Sequence, residues 1–318
     1  AGAPGEAESS TGILPLAKST KVGLELEVGS RARDWVSPGT AVLGWSLPGH
    51  GAAYGDCGSL LKWRVRGCAH VEDHVQSRLL GEEEVVGKVH ISLKKRSCLR
   101  AVCPVCYEKW AGKEAQKIER RLKGFHKKRR VIHLIVSVPV GLWYETPELL
   151  RKKVYDMVKK CGFVGGSCIF HPFRSDREEV FGEGEVRGYV GRWYFSPHFH
   201  MLGYGWIRNT AENYSRTGWV VKNVGVRKSV VATAQYQLSH AGIHESCHTV
   251  TWFGGLSYNK LRVPMEEEPV DKCPLCGRPL VWLRWVGEGD PPLPDAEGEY
   301  FVEPGGWVES CGRSWAYG

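Results

Sequence analysis

The placement of cysteine restricts this chain more than any other feature. Eleven cysteines occur in 318 residues, and several fall in close pairs: Cys103-Pro-Val-Cys106, with Cys98 just upstream, and Cys273-Pro-Leu-Cys276. Two thiolates separated by two residues can chelate one ion from a tight turn, so both pairs are read as structural Zn²⁺ ligands. The opening residues carry no basic-then-apolar export signal, so metal ligation is expected over disulfides, together with a cytoplasmic location. Cys98, Cys103 and Cys106 need a fourth ligand. For the second pair the available partners are His244, Cys247 and His248 upstream and Cys311 downstream. Cys161 and Cys168 have no such neighbours and are expected as small buried hydrophobes.

Charge is unevenly spread. Lys and Arg number 43 against 35 Asp and Glu, a net charge of +8. Nine of those cations, against two Glu, lie in the run Lys113 to Arg130, a segment suited either to a polyanion or to a solvated helix face. The longest apolar stretch, Val131 to Trp143, is interrupted by His133, Ser137 and Pro139 and is shorter than the roughly 20 residues that span a bilayer. No membrane partner is expected.

Periodicity predicts an α+β chain with a largely antiparallel sheet and flanking helices. A helix is expected from Tyr107 to about His126 and a strand from Val131 to Val138. Thr146-Pro147 should cap a helix running to about Lys160. Strands are expected at Gly166 to Phe173, Gly188 to Phe195, Phe199 to Ile207, Trp219 to Val226 and Thr249 to Leu256, with a helix from Ser229 to Ala241 between the last two. The chain divides into a leader (1–56), a zinc-binding segment (57–106), a central domain (107–262) and a C-terminal zinc-knuckle extension (263–318).

The central domain carries the chemistry. In Ser196-Pro197-His198-Phe199-His200 the alternation of a strand puts both imidazoles on one face and Phe199 on the other, an arrangement able to bind a divalent cation. Downstream, Tyr236 and His240 are four apart, one above the other on a helix. If His240 completes a three-histidine site, Tyr236 is held beside the ion. A tyrosine hydroxyl is a weak nucleophile unless the phosphate it attacks is polarised, which such a cation can do. His133, on its own alternating strand, is the competing third ligand. Taken singly, each motif also fits an ordinary polar strand face or a half-buried helix.

PHFHML followed by YQLSHAG resembles the HUH endonucleases, in particular single-tyrosine rolling-circle replication initiators of archaeal plasmids and viruses. The resemblance covers roughly Cys57 to Arg262. It implies an HUH endonuclease fold, Tyr236 as nucleophile, His198, His200 and His240 as ligands of Mg²⁺ or Mn²⁺, and nicking of origin single-stranded DNA through a 5′-phosphotyrosine, with host replication proteins as partners. It also implies Cys57 as the fourth ligand of the Cys98, Cys103, Cys106 site, with Cys68 or His70 as substitutes. Where the family motif has Tyr-x-x-Lys, position 239 here is Ser; Lys222, Arg227 or Lys228 would have to meet the DNA phosphate instead. An HUH transposase or relaxase, or a zinc-containing DNA-binding regulator without chemistry, are the other functions compatible with these motifs.

Overall fold

Alternating apolar and polar residues become strands, and capping residues mark where the alternation gives way to helix. In a computed structural model the elements follow in the order β1 (Trp35–Val36), β2 (Arg64–Cys68), α1 (Val71–His74), β3 (Val89–Leu93), α2 (Tyr107–Phe125), β4 (Ile132–Ser137), α3 (Pro147–Lys160), β5 (Phe163–Phe181), β6 (Arg187–Gly205), α4 (Thr210–Thr217), β7 (Val220–Val226), α5 (Val230–Leu238), β8 (Val250–Gly254), β9 (Val281–Trp285), β10 (Gly298–Val302) and β11 (Trp307–Glu309). The structure describes residues 35–74, 85, 87–126, 129–181, 187–264 and 270–310, the side chains of 177–191 excepted. Lys127, Lys128 and Cys311 therefore lie outside the described residues.

Local chemistry fixes several boundaries. Thr146 Oγ1 accepts from the Leu149 amide at the start of α3, with Pro147 in the first turn, and Ser229 Oγ accepts from Ala232 N at the start of α5. Helix α5 is shorter than its pattern suggested, ending at Leu238. The two strands expected at Gly188 to Phe195 and Phe199 to Ile207 form a single strand, β6, because Pro197 does not break the pairing. Its carbonyl still accepts from Val138 N, and its missing N–H falls where the β5–β6 ladder is irregular, between His171 and Phe173 beside Pro172.

Two antiparallel sheets result. The first is six-stranded, in the order β7-β4-β6-β5-β8, with β1 pairing the far part of β6. One face carries Leu134, Val136, Cys168, Phe170, Phe199 and Met201, and α3 covers it with Leu150, Val154, Met157 and Val158. On the opposite face Ile169 and Leu202 pack under Ala111, Ala115, Ile118 and Leu122 of α2 and under Ala234 and Leu238 of α5. The second sheet, β10-β3-β2-β9-β11, takes strands from both ends of the described chain, so segments 57–106 and 263–318 are partners in one ladder. Among the described residues no helix is long and apolar enough to cross a membrane.

The basic run divides between solvent and structure. Arg121 is buried, donates to the carbonyls of Leu256 and Leu261, and lies between the rings of Trp252 and Tyr258. It anchors the segment after β8 and is not a free cation on a helix face.

Phe199 separates the two histidines of β6 and packs on Phe170 with ring centroids 5.0 Å apart in the fully buried α3 face. Phe199→Ala should lower unfolding free energy by about 3–5 kcal/mol, the usual cost of removing a buried aromatic ring. Urea titration of the variant against the parent checks this.

Candidate active site and metal centres

Strand β6 presents His198 and His200 on the sheet face that α2 and α5 cover, since His200 is paired with Ile169 and Leu202 follows it in the same alternation. The register places His171 of β5 directly opposite His198. His171, His198 and His200 are all buried, and one nitrogen of each lies within 4.8 Å of those of the other two. His240 stands beside this triplet, its ring centroid 4.7 Å from that of His171 and 6.2 Å from that of His200. His133, opposite Leu202 on β4, hydrogen-bonds to His200, Nε2 to Nδ1, at 2.9 Å. The structure thus gathers five imidazoles, and the member that the sequence pattern passed over is His171.

The ring orientations fit a cation. His198 Nδ1–H donates to the Ser196 carbonyl at 2.9 Å, which leaves Nε2 as its lone-pair nitrogen. His200 Nδ1 lies 2.9 Å from His133 Nε2, and in the tautomer in which Nδ1 donates, Nε2 of His200 likewise carries a lone pair. Both ring nitrogens of His171 are buried without a hydrogen-bond partner. A buried imidazole left unpaired between two others is costly unless an ion satisfies it. Burial holds all five neutral: His198 is pushed down to about 3, with Arg174 adding to the effect, and His133 and His240 to about 4, while His171 and His200 lie well below the ordinary histidine value. Neutral imidazole is the ligating form. With no carboxylate grouped among these imidazoles in the described residues, the donor set suits Mn²⁺ or a later transition ion better than Mg²⁺.

Tyr236 lies in the last turn of α5, 62% exposed, with its ring 4.8 Å from that of His240. The Ser239 hydroxyl donates to the Tyr236 carbonyl at 2.8 Å, which occupies the position where a motif lysine was absent. Lys222 is exposed on β7 opposite Ile135, itself opposite His200. Arg227 is half-buried, donates to the Val224 carbonyl, and its charge reaches His133. Lys228 is exposed between β7 and α5.

Two further groups can hold a structural metal such as zinc. Cys57, Cys98, Cys103 and Cys106 bring their sulfurs within 4.8 Å of one another. Burial disfavours charge on Cys106, but hydrogen bonds from Ser97, the Cys98 backbone and the adjoining thiols outweigh it and bring that thiol down to about 6. The second group is Cys68, His74, Cys273 and Cys276. His74 donates from Nδ1 to the Lys88 carbonyl at 2.6 Å, turning Nε2 toward Cys273 Sγ at 3.4 Å. Cys68 Sγ is 3.7 Å from Cys276 Sγ.

The partners expected for Cys273 and Cys276 therefore need correction where they can be seen. His244 packs on Trp45 and bonds to Ser246, Cys247 contacts Glu148, and His248 lines a groove along α2. Cys68, considered for the first group, belongs to the second, and His70 pairs with Glu72 and Glu309. Pairing of β2 with β9 carries Cys68 to the Cys273 turn, a long-range event that spacing could not display.

Comparison of the chain with protein-family models, with curated proteins and with solved structures finds no match.

Purified protein should contain two tightly held zinc ions per chain. Cys103→Ser and Cys273→Ser should each remove one of them, and each should lower the Tm by at least about 5 °C. Elemental analysis alongside thermal melts checks this; a single zinc unaffected by Cys273→Ser refutes the second centre.

Proposed function

We propose that the chain nicks and rejoins single-stranded DNA in the manner of HUH endonucleases, with initiation of rolling-circle replication at an origin as its role. The observation that carries this reading is the placement of an exposed tyrosine against a buried imidazole cluster: Tyr236 on His240, and His240 on His171 of the His171, His198, His200 triplet. Buried neutral imidazoles describe a cation site, and a phenol at its rim describes a nucleophile held at the surface where a flexible strand can reach it.

In the proposed reaction Tyr236 Oη forms a bond to phosphorus as the P–O3′ bond breaks. The phenolic proton is lost, the departing 3′ oxygen takes one up, and the 5′ phosphate stays on the tyrosine. Attack of a 3′ hydroxyl on that phosphotyrosine reverses the step and reseals the strand. A bound Mn²⁺ or Mg²⁺ would supply Lewis-acid polarisation of the phosphate. His171, His198 and His200 would hold it, and His133 would keep the His200 ring turned so that Nε2 faces the ion. His240 orients the tyrosine through an edge-to-face ring contact and stands beside the triplet.

Tyr236→Phe should abolish the covalent protein–DNA adduct while leaving fold and oligonucleotide binding close to the parent. His171→Ala should weaken Mn²⁺ binding roughly tenfold to a hundredfold and slow nicking in step, with partial rescue by excess Mn²⁺. Denaturing gels of labelled single-stranded oligonucleotides, together with Mn²⁺ titration, measure both. An adduct that survives Tyr236→Phe, or no metal-dependent nicking of any single strand, sinks the enzyme reading and leaves a zinc-containing DNA-binding protein.

A further inference from the structure

Arg174 lies on β5 three residues beyond His171, past the irregular step at Pro172. Its Nε donates to Ser196 Oγ at 3.2 Å and its Nη2 to Ser137 Oγ at 2.8 Å. Both hydroxyls border His198. Ser196 precedes it by two on β6 and accepts from its Nδ1–H through the backbone carbonyl, and Ser137 is its cross-strand partner on β4. Arg174 is therefore pinned at the edge of the imidazole cluster.

The surroundings of this cation are unusual. Among the described residues no carboxylate pairs with Arg174, although it is half-buried and its charge is disfavoured there by desolvation. Arg121, a buried arginine, is satisfied by two backbone carbonyls and two aromatic faces. Among the described residues Arg174 has two neutral hydroxyls and, across the strand, the Tyr194 phenol, which favours its charge. Two of its five N–H donors go to the serine hydroxyls, while each serine, having accepted from the guanidinium, points its own proton elsewhere. Among the described residues the result is a donor-rich corner carrying a positive charge with no carboxylate partner, next to a cluster of neutral imidazoles. Such a corner is completed by an oxyanion; the planar fork matches two oxygens of a phosphate.

We infer that Arg174, held by Ser137 and Ser196, forms a phosphate-binding subsite beside the histidine centre. Its ligand is a phosphate monoanion or diester oxygen pair, which on the reading given under Proposed function is a backbone phosphate of the single strand, and the inference of the strand as ligand rests on that reading. The subsite itself does not.

The test uses the full zinc-loaded chain, inorganic phosphate and a short single-stranded oligonucleotide as probes, and the variants Arg174→Gln and Arg174→Lys. Inorganic phosphate should raise the Tm of the parent and leave that of Arg174→Gln unmoved. The Gln variant should bind the oligonucleotide roughly tenfold or more weakly. Its slope of log K against log salt should be shallower by about 0.7, the loss of one phosphate contact on a single strand. Arg174→Lys should restore the slope but not the full affinity, because it supplies a point charge without the fork. Mn²⁺ affinity should not fall in either variant, which separates this role from support of the metal centre.

Equal stabilisation of parent and Gln variant by phosphate, or an unchanged salt slope, overturns the subsite. So does unfolding of both variants, which would make the guanidinium a structural clamp between β4, β5 and β6. An Arg174-dependent phosphate effect without oligonucleotide binding upholds the subsite and makes its ligand a small phosphate. Because none of these readouts involves cleavage, the subsite stands or falls separately from Tyr236. Unaltered oligonucleotide affinity in Arg174→Gln together with an undiminished phosphate effect would remove it and leave the nicking reading intact.

Discussion

The candidate site depends on one register, that of β5 against β6, with His171 opposite His198. Side chains alternate across a strand, so a slip of one residue would send His171 to the α3 face and bring Phe170 among the imidazoles. Two features resist that slip. The apolar set on the α3 side, Phe170, Cys168, Phe199 and Met201, is buried only in this pairing. Gly166 and Gly203 also face each other across the ladder, where a Cβ on Gly203 would run into the Gly165 carbonyl and the Gly166 backbone. Any other residue there would push the strands apart just below the histidines.

The same sheet face serves two purposes that compete for space. Ile169 and Leu202 need cover from α2 and α5, whereas under the proposed function a phosphate must reach the imidazoles a few residues along the same strands. Helix α5 meets both demands through its orientation. Ala234 and Leu238 go into the core, and Tyr236, two residues from Leu238, stays in solvent. The small side chain of Ala234 lets the helix approach α2 closely, against Ala111 and Ala115. Burial then keeps the imidazoles neutral, and the positive charge near them is carried by arginine, which does not lose its proton at ordinary pH.

The cysteine groups act at longer range. Cys68 and Cys276 are 208 positions apart, and the second sheet pairs strands that precede β4 with strands that follow β8. Closing so long a loop is entropically unfavourable. A four-ligand cluster at the base of β2 and the turn before β9 is suited to offsetting that cost, and Val85, Leu275 and Leu280 pack around it. The first group instead sits at the start of α2, where Cys106 immediately precedes the helix, so it sets the direction from which α2 crosses the sheet.

What was legible in the sequence is what short spacing encodes. The Cys98, Cys103, Cys106 triplet, the His198 and His200 pair on one strand face, and the Tyr236 and His240 pair on one helix face all follow from turn, strand and helix geometry over at most nine residues. The α+β class with antiparallel pairing was legible for the same reason. Cys57 joined its group on the strength of a resemblance, not of spacing. The sequence alone did not yield His171 beside His198, Cys68 and His74 beside Cys273, the merging of two expected strands into β6, or Arg174 between Ser137 and Ser196. Each of these is a contact between strands or segments whose register is chosen by competition among many buried side chains. A lone histidine or arginine in a strand carries no mark of which neighbour it will meet, and only the folded sheet, by excluding every other register, decides that.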